Sequence, residues 1–180
     1  MTESSRDMSI ENLTLELTEF QFEASEDECR ALADRLGILV LHNFKVAGGV
    51  RRVTAGGDIH LSGHIQAALD QNCSITLEPI WEHVNTSFNI RFSDRISEDT
   101  PIGQFEEQLG DRSLEPMPAG PVDVGEIAVQ YLSMAINPFP RTSGATLDAP
   151  AIEGVAMLSE EDDRKARSPF SALKKITDGV

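Results

Sequence analysis

The side chains able to carry chemistry in this chain are few: four histidines, two cysteines, one tryptophan and one tyrosine among 180 residues. His60 and His64 share one side of any strand that contains them, but stand roughly 13 Å apart along it, too far to chelate one ion unaided. A neighbouring strand would have to bring His83 to one of them. Cys29 and Cys73 read as reduced, packed thiols and suggest no disulfide framework. No P-loop, dinucleotide-binding glycine pattern, nucleophile elbow or HExxH helix occurs. Carboxylates are plentiful, but none is set apart by its neighbours as a tuned acid or base. The chain therefore reads as a non-enzyme, with no cofactor and no resident metal.

One grouping points to binding. Trp81, His83, Asn85, Asn89 and Arg91 fall on odd positions, opposite the apolar set Ile80, Val84, Phe88, Ile90 and Phe92. An indole among imidazole, amide and guanidinium groups has the chemistry of base stacking with hydrogen bonding to phosphates or base edges. His64 joins the same candidate face from the preceding run. The blander arrangement, which the sequence favours, has the helix of residues 123–136 or the C-terminal tail covering that face, with Trp81 structural.

The elements that must position these residues follow from period and punctuation. Residues 10–18 set Leu13, Leu15 and Leu17 against Asn12, Thr14, Glu16 and Thr18, which predicts a half-buried strand. Ser25-Glu26-Asp27-Glu28 predicts a capping box, Cys29, Ala31, Leu32 and Leu36 an apolar stripe, and Gly37 the helix end. Ile38 to Val46 reads as extended, with the Gly48-Gly49 and Gly56-Gly57 pairs as turns around a short basic strand.

From residue 58 to 77 the odd positions are apolar (Ile59, Leu61, Ile65, Ala67, Leu69, Cys73, Ile75, Leu77) and the even ones mostly polar. Twenty straight strand residues would span on the order of 65 Å, so the run must coil or break, most naturally at Asp70-Gln71-Asn72. After a Glu78-Pro79 turn the phase flips, which predicts a β-hairpin in an antiparallel sheet. Residues 94–121 read as acidic loop. Asp123-Val124-Gly125-Glu126 predicts a second capping box, before a core-facing helix that Asn137-Pro138 stops.

The expected class is thus α+β: an antiparallel, strongly coiled or partly barrel-like sheet, two packed helices and a flexible C-terminal tail. Residues 1–140 form the domain and 141–167 a flexible acidic linker. Residues 168–180 form a docking motif in which Ser168 caps, Pro169 opens the helix, Phe170, Leu173 and Ile176 share a face, and Lys174 and Lys175 supply charge. Such a short helix is not stable alone and must dock, on a partner or on its own domain.

Thirty acidic against fifteen basic side chains give a formal charge of −15. That field repels phosphate backbones and attracts basic partners. No apolar run approaches the roughly 20 residues of a membrane helix, and the polar N-terminus lacks a secretory pattern. A cytoplasmic protein with no membrane partner is the expectation; oligomeric state is not legible.

Three segments resemble the YceD family, bacterial and plastid proteins named for accumulation of large-subunit ribosomal RNA. Gly63-His64-Ile65-Gln66-Ala67 with Gln71-Asn72-Cys73-Ser74-Ile75-Thr76-Leu77-Glu78-Pro79 resembles its cysteine-containing strand segment. The helix from Val122 to Ile136, followed by Asn137-Pro138-Phe139-Pro140, is similar to its second signature. Ser168-Pro169-Phe170-Ser171-Ala172-Leu173-Lys174-Lys175 is similar to its closing motif. Many relatives carry Cys-x-x-Cys; here Thr76 stands where the second cysteine would fall, so one thiolate cannot build a four-ligand zinc site. The Thr-Leu-Glu-Pro version resembles the alphaproteobacterial branch. The resemblance implies a ribosome-biogenesis role in processing, stability or accumulation of large-subunit ribosomal RNA. Either the near-neutral sheet face contacts RNA locally, or the acidic surface holds a basic ribosomal or processing protein.

Overall fold

The computed structural model describes residues 4–53, 57–95 and 113–146. The chain divides into Met1–Ala145 and Thr146–Val180, and the account below concerns the first unit. The docking residues Pro169, Phe170, Leu173, Lys174 and Lys175, and the linker from residue 147 onward, lie outside the described residues.

Three long strands form the centre: β3 (Val40–Arg52), β4 (Ile59–Asn72) and β5 (Pro79–Ser93). With β2 (Thr18–Glu23) and β6 (Ser113–Pro116) they make an open five-stranded sheet in the order β2-β3-β4-β5-β6, antiparallel except for β5-β6. A second pairing joins β1 (Asp7–Met8) to β7 (Val122–Asp123). Two helices, α1 (Glu26–Leu36) and α2 (Val124–Ala135), complete the α+β fold.

Alternation decides which face is buried. Phe44, Val46 and Val50 of β3, Leu61, Ile65 and Leu69 of β4, and Val84, Phe88 and Ile90 of β5 all point inward. They pack with Leu32 of α1 and with Ala128 and Leu132 of α2, all without exposed surface, so both helices cover the same side of the sheet. Each such large side chain contributes about 1.5–3 kcal/mol by leaving water. Arg35 of α1 donates two hydrogen bonds to the Glu126 carboxylate of α2, at 2.8 and 2.6 Å, and ties the helices together.

Local chemistry sets the helix ends. Ser25 Oγ accepts the Glu28 N–H at 3.3 Å and the Glu28 carboxylate accepts the Ser25 N–H at 2.8 Å, the expected capping box. Gly37, at φ 67°, ends α1 in the left-handed conformation that costs glycine least. Asp123 caps α2 through the Glu126 N–H at 3.0 Å. The second box is only half formed, however, because Arg35 draws the Glu126 carboxylate away.

Four sequence expectations need correction. Residues 10–17 are not a strand: Leu15 and Leu17 are more than half exposed, and β2 begins only at Thr18. The Arg52 side chain donates to the Ile10 and Leu13 carbonyls and the Arg52 N–H to Thr14, so these backbone acceptors are satisfied without a ladder. Gly48-Gly49 is no turn but part of β3. A Cβ on Gly48 would overlap the backbone of Ser62 and Gly63, and one on Gly63 the Phe88 ring, so these glycines permit close packing rather than reversal.

The hairpin is present, yet its loop is Cys73–Glu78, and Pro79 opens β5 opposite Asn72. The Leu77 N–H bonds the Cys73 carbonyl at 3.0 Å, and Leu77 itself sits at φ 61°, so one helical turn reverses the chain. Ile75 and Leu77 therefore leave the core phase. Finally, Ser113–Pro116, read as loop, forms a parallel edge strand on Ile90–Ser93.

Candidate functional site

The site is the sheet face away from the helices. Register across β4 and β5 is unbroken from Ile59↔Phe92 to Asn72↔Pro79, so the odd residues of β5 share one face. This brings Trp81, His83, Asn85, Asn89, Arg91 and, from β4, His64 to the same surface. Trp81 is 58% exposed. Helix 123–136 lies against the opposite face, where Tyr131 meets Phe88 at 5.6 Å between ring centroids. Covering of Trp81 by that helix is thus overturned; the tail's part in that expectation lies outside the described residues.

The six residues are not equivalent. Trp81 and His83 form an edge-to-face pair with centroids 4.2 Å apart. Asn85 and His64 are exposed. Asn89 is half-buried, with Oδ1 2.6 Å from His60 Nε2. Arg91 is committed: its Nε donates to buried Asp58 at 2.7 Å, and Ser93 donates to the other Asp58 oxygen at 2.8 Å. Burial pushes the Asp58 carboxyl up, but Ser93 and Arg91 outweigh it and hold the group below the usual carboxylate range.

All four histidines lie on this face. His60 and His64 alternate along β4, while His83 is opposite Ala68, not beside either of them. His42 occupies a bulge between Leu41 and Asn43 and reaches Asp70 at 2.8 Å. Among the described residues no cluster of three His, Cys, Asp or Glu side chains is arranged to hold a metal ion.

The surface is hollowed. Two adjoining depressions of about 500 and 480 Å³ share Lys45 and Gln66; one extends to Gln21 and His64, the other to Asn43, His83 and Asn85. Sequence reasoning missed Asn43, Lys45 and Gln66 as site residues. Reading Gly48-Gly49 as a turn cut β3 short, although the Phe44, Val46, Val50 alternation runs through it. Two of the cations here have carboxylate partners, Lys45 with Glu23 at 3.1 Å and Arg91 with Asp58, while exposed Arg51, opposite His60, adds a third. The face is therefore polar and close to neutral.

Cys73 lies at the hairpin end, enclosed by the loop and by the segment after α2. Its sulfur accepts N–H groups from Thr76 and Thr142, each at 3.4 Å. The Thr76 hydroxyl and N–H, then the Thr142 N–H, outweigh burial and pull the thiol down to about 6. Thr76, in the place of the second cysteine of the resembled motif, thus serves the sulfur as a donor. Cys29 is the opposite case: burial, with Glu28, Glu23 and Glu26 nearby, pushes its thiol up.

No family model, curated protein or solved structure matches the chain. Among the described residues no helix is long and apolar enough to cross a membrane.

Proposed function

We propose that this chain belongs to the YceD family and is a non-enzymatic factor supporting large-subunit ribosomal RNA, working in the bacterial cytoplasm through its uncovered sheet face. The observation that carries the reading is Trp81, exposed beside His83 on a hollowed surface of amide and imidazole groups. Unpaired bases stack on such an indole, while Asn85, His64 and Gln66 offer hydrogen bonds to base edges. Near-neutrality suits a local contact with looped RNA and not a general grip on phosphates.

A second reading, an acidic adaptor for a basic ribosomal or processing protein, is favoured by one specific observation. Lys45 and Arg91 are spent on carboxylates, exposed Arg51 lies opposite His60 at the end of the face away from Trp81, and Asn72–Ile90 contains no lysine or arginine. Titrating a large-subunit RNA fragment into the protein at low salt separates the two. Binding that weakens in Trp81→Ala supports RNA contact. No RNA binding under those conditions, where electrostatic attraction is strongest, leaves the adaptor.

A further inference from the structure

We infer that the open edge of β5 accepts an extended basic segment of a partner protein as an added strand. The inference rests on the adaptor reading and names how the partner is held. β5 spans 15 residues, but β6 pairs only with Ile90–Ser93. Among the described residues no strand pairs with Pro79–Asn89 on that side.

The direction of the free backbone groups follows from two hydrogen bonds. The Glu78 carbonyl accepts the Cys73 N–H on the β4 side, and the Ser93 carbonyl accepts the Met117 N–H on the β6 side. With no bulge between β4 and β5, even residues address β4 and odd residues the open edge. Trp81, His83, Asn85 and Ser87 therefore present N–H and C=O outward. Pro79, which has no N–H to offer, stands at an odd position, where an edge strand tolerates proline.

The two long sides of the sheet are defended differently. β2 is six residues long and carries Glu19 and Glu23. The stretch Pro79–Asn89 carries a single carboxylate, Glu82, and none of the lysines that usually guard an exposed edge. Its surroundings choose the occupant. Glu78 and Glu82 are unopposed by any lysine or arginine within Asn72–Ile90, and Asp70, opposite Trp81, has His42 as its partner. An RNA strand here would set phosphates against carboxylates, and a second copy would join two chains of −15. A basic extended segment gains backbone hydrogen bonds, charge attraction, and a cation–π contact with Trp81.

The test uses the full-length protein and a fluorescent peptide of about ten residues alternating Arg or Lys with Val and Thr, long enough to span the free edge. A twin peptide is methylated on alternate backbone nitrogens, which keeps its charge and removes its strand donors. The parent should bind and the twin, which loses every strand donor, should bind at least about tenfold more weakly. Ser87→Pro, which deletes one outward N–H without touching the ladder to β4, should weaken parent binding by less, roughly three- to tenfold.

Equal binding of both peptides would overturn strand addition and leave the adaptor reading standing on charge alone. Binding of neither would sink both. Self-association or single-stranded RNA binding that Ser87→Pro abolishes would give the edge to another occupant and overturn the proposal. If Ser87→Pro does not fold, the peptide pair still decides.

Discussion

The two faces of the central sheet are made from the same three strands, one residue out of phase, yet they have opposite fates. Inward residues such as Ile65 and Phe88 are closed under two helices; outward neighbours such as His64 and Ser87 face solvent. The buried face is a continuous apolar layer whose composition resembles many cores. The open face gathers four histidines, the tryptophan and a row of amides, and so carries the distinctive chemistry. Strand alternation therefore records a division of labour: one face supplies the stability that lets the other stay polar and available.

The hardest break in that comparison is Ile65→Asp or Phe88→Asp. Either puts a carboxylate without a partner into a site that has almost no exposed surface. The penalty is on the order of several kcal/mol against a total stability of roughly 5–15 kcal/mol, so these variants should lose cooperative unfolding by circular dichroism. His64→Asp, one residue away, should shift stability by no more than about 0.5 kcal/mol. Equal damage from both would mean that the faces are wrongly assigned.

Arg91→Ala sharpens the boundary between the faces. It strips the guanidinium from Asp58, which is 6% exposed. Because a third of the Arg91 side chain meets solvent, the cost is discounted to about 1–3 kcal/mol. Asp58 titrates below its ordinary range when folded, so its contribution is present above that range and lost as pH falls through the lower folded value. In Arg91→Ala the folded value rises toward the unfolded one, so the stability gap from wild type should narrow as pH falls through the acid range and the acid limb should flatten, as urea titrations would show. An unchanged acid limb would mean that the pair does not act on stability. Arg91 is for this reason a poor probe of RNA contact: its loss disturbs the fold first.

Much of this was legible. The capping box at Ser25, the inward sets of β4 and β5, and the separation of Trp81 from the core all follow from local pattern. What was missed depended on distant partners. Leu13, Leu15 and Leu17 alternate like a strand, but Arg52, far along the chain, takes the carbonyls of Ile10, Leu13 and Thr14. Gly48 and Gly49 look like turn residues until the Phe20 ring beside Gly48 and the Leu17 side chain beside Gly49 are seen to need the space. Glu126 fits a capping box, and only its competition with Arg35 shows why the box stays half made. On the open face, the placement of Trp81 and His83 opposite the core could be read directly, although the sequence favoured a cover over Trp81 that α2 does not supply. The pairing of Arg91 and the hollows around Lys45 needed the register of three strands.

Cys73 offers a smaller, pH-dependent test at the hairpin end. Its folded value of about 6 lies below the ordinary thiol value near 8.5. A lowered value means that the thiolate's contribution is full above the unfolded value and lost as pH falls through the folded one. The melting-temperature gap between wild type and Cys73→Ser should therefore widen from about pH 6 to about pH 9, with both proteins folded throughout. A gap that stays constant with pH would show that the donors from Thr76 and Thr142 do not hold a thiolate.

The smallest expected effect on stability, and the most informative one on binding, is that of Trp81→Ala. The indole is more than half exposed, and its ring contact is with His83, another residue of the open face. Removing it opens no cavity in the core, so thermal denaturation should shift by about 1 kcal/mol or less. A loss above roughly 2 kcal/mol would return Trp81 to a structural role. The binding outcome then separates the two readings of the face. A stacked base contributes about 1–3 kcal/mol, so loss of the indole would weaken RNA binding some five- to 150-fold. A basic strand on the β5 edge keeps its backbone hydrogen bonds and loses only a cation–π contact of about 0.5–1 kcal/mol, a few-fold effect. Measuring RNA and basic-peptide affinity side by side on this one variant, with stability unchanged, assigns the indole to base stacking or to strand capture by the size of the loss.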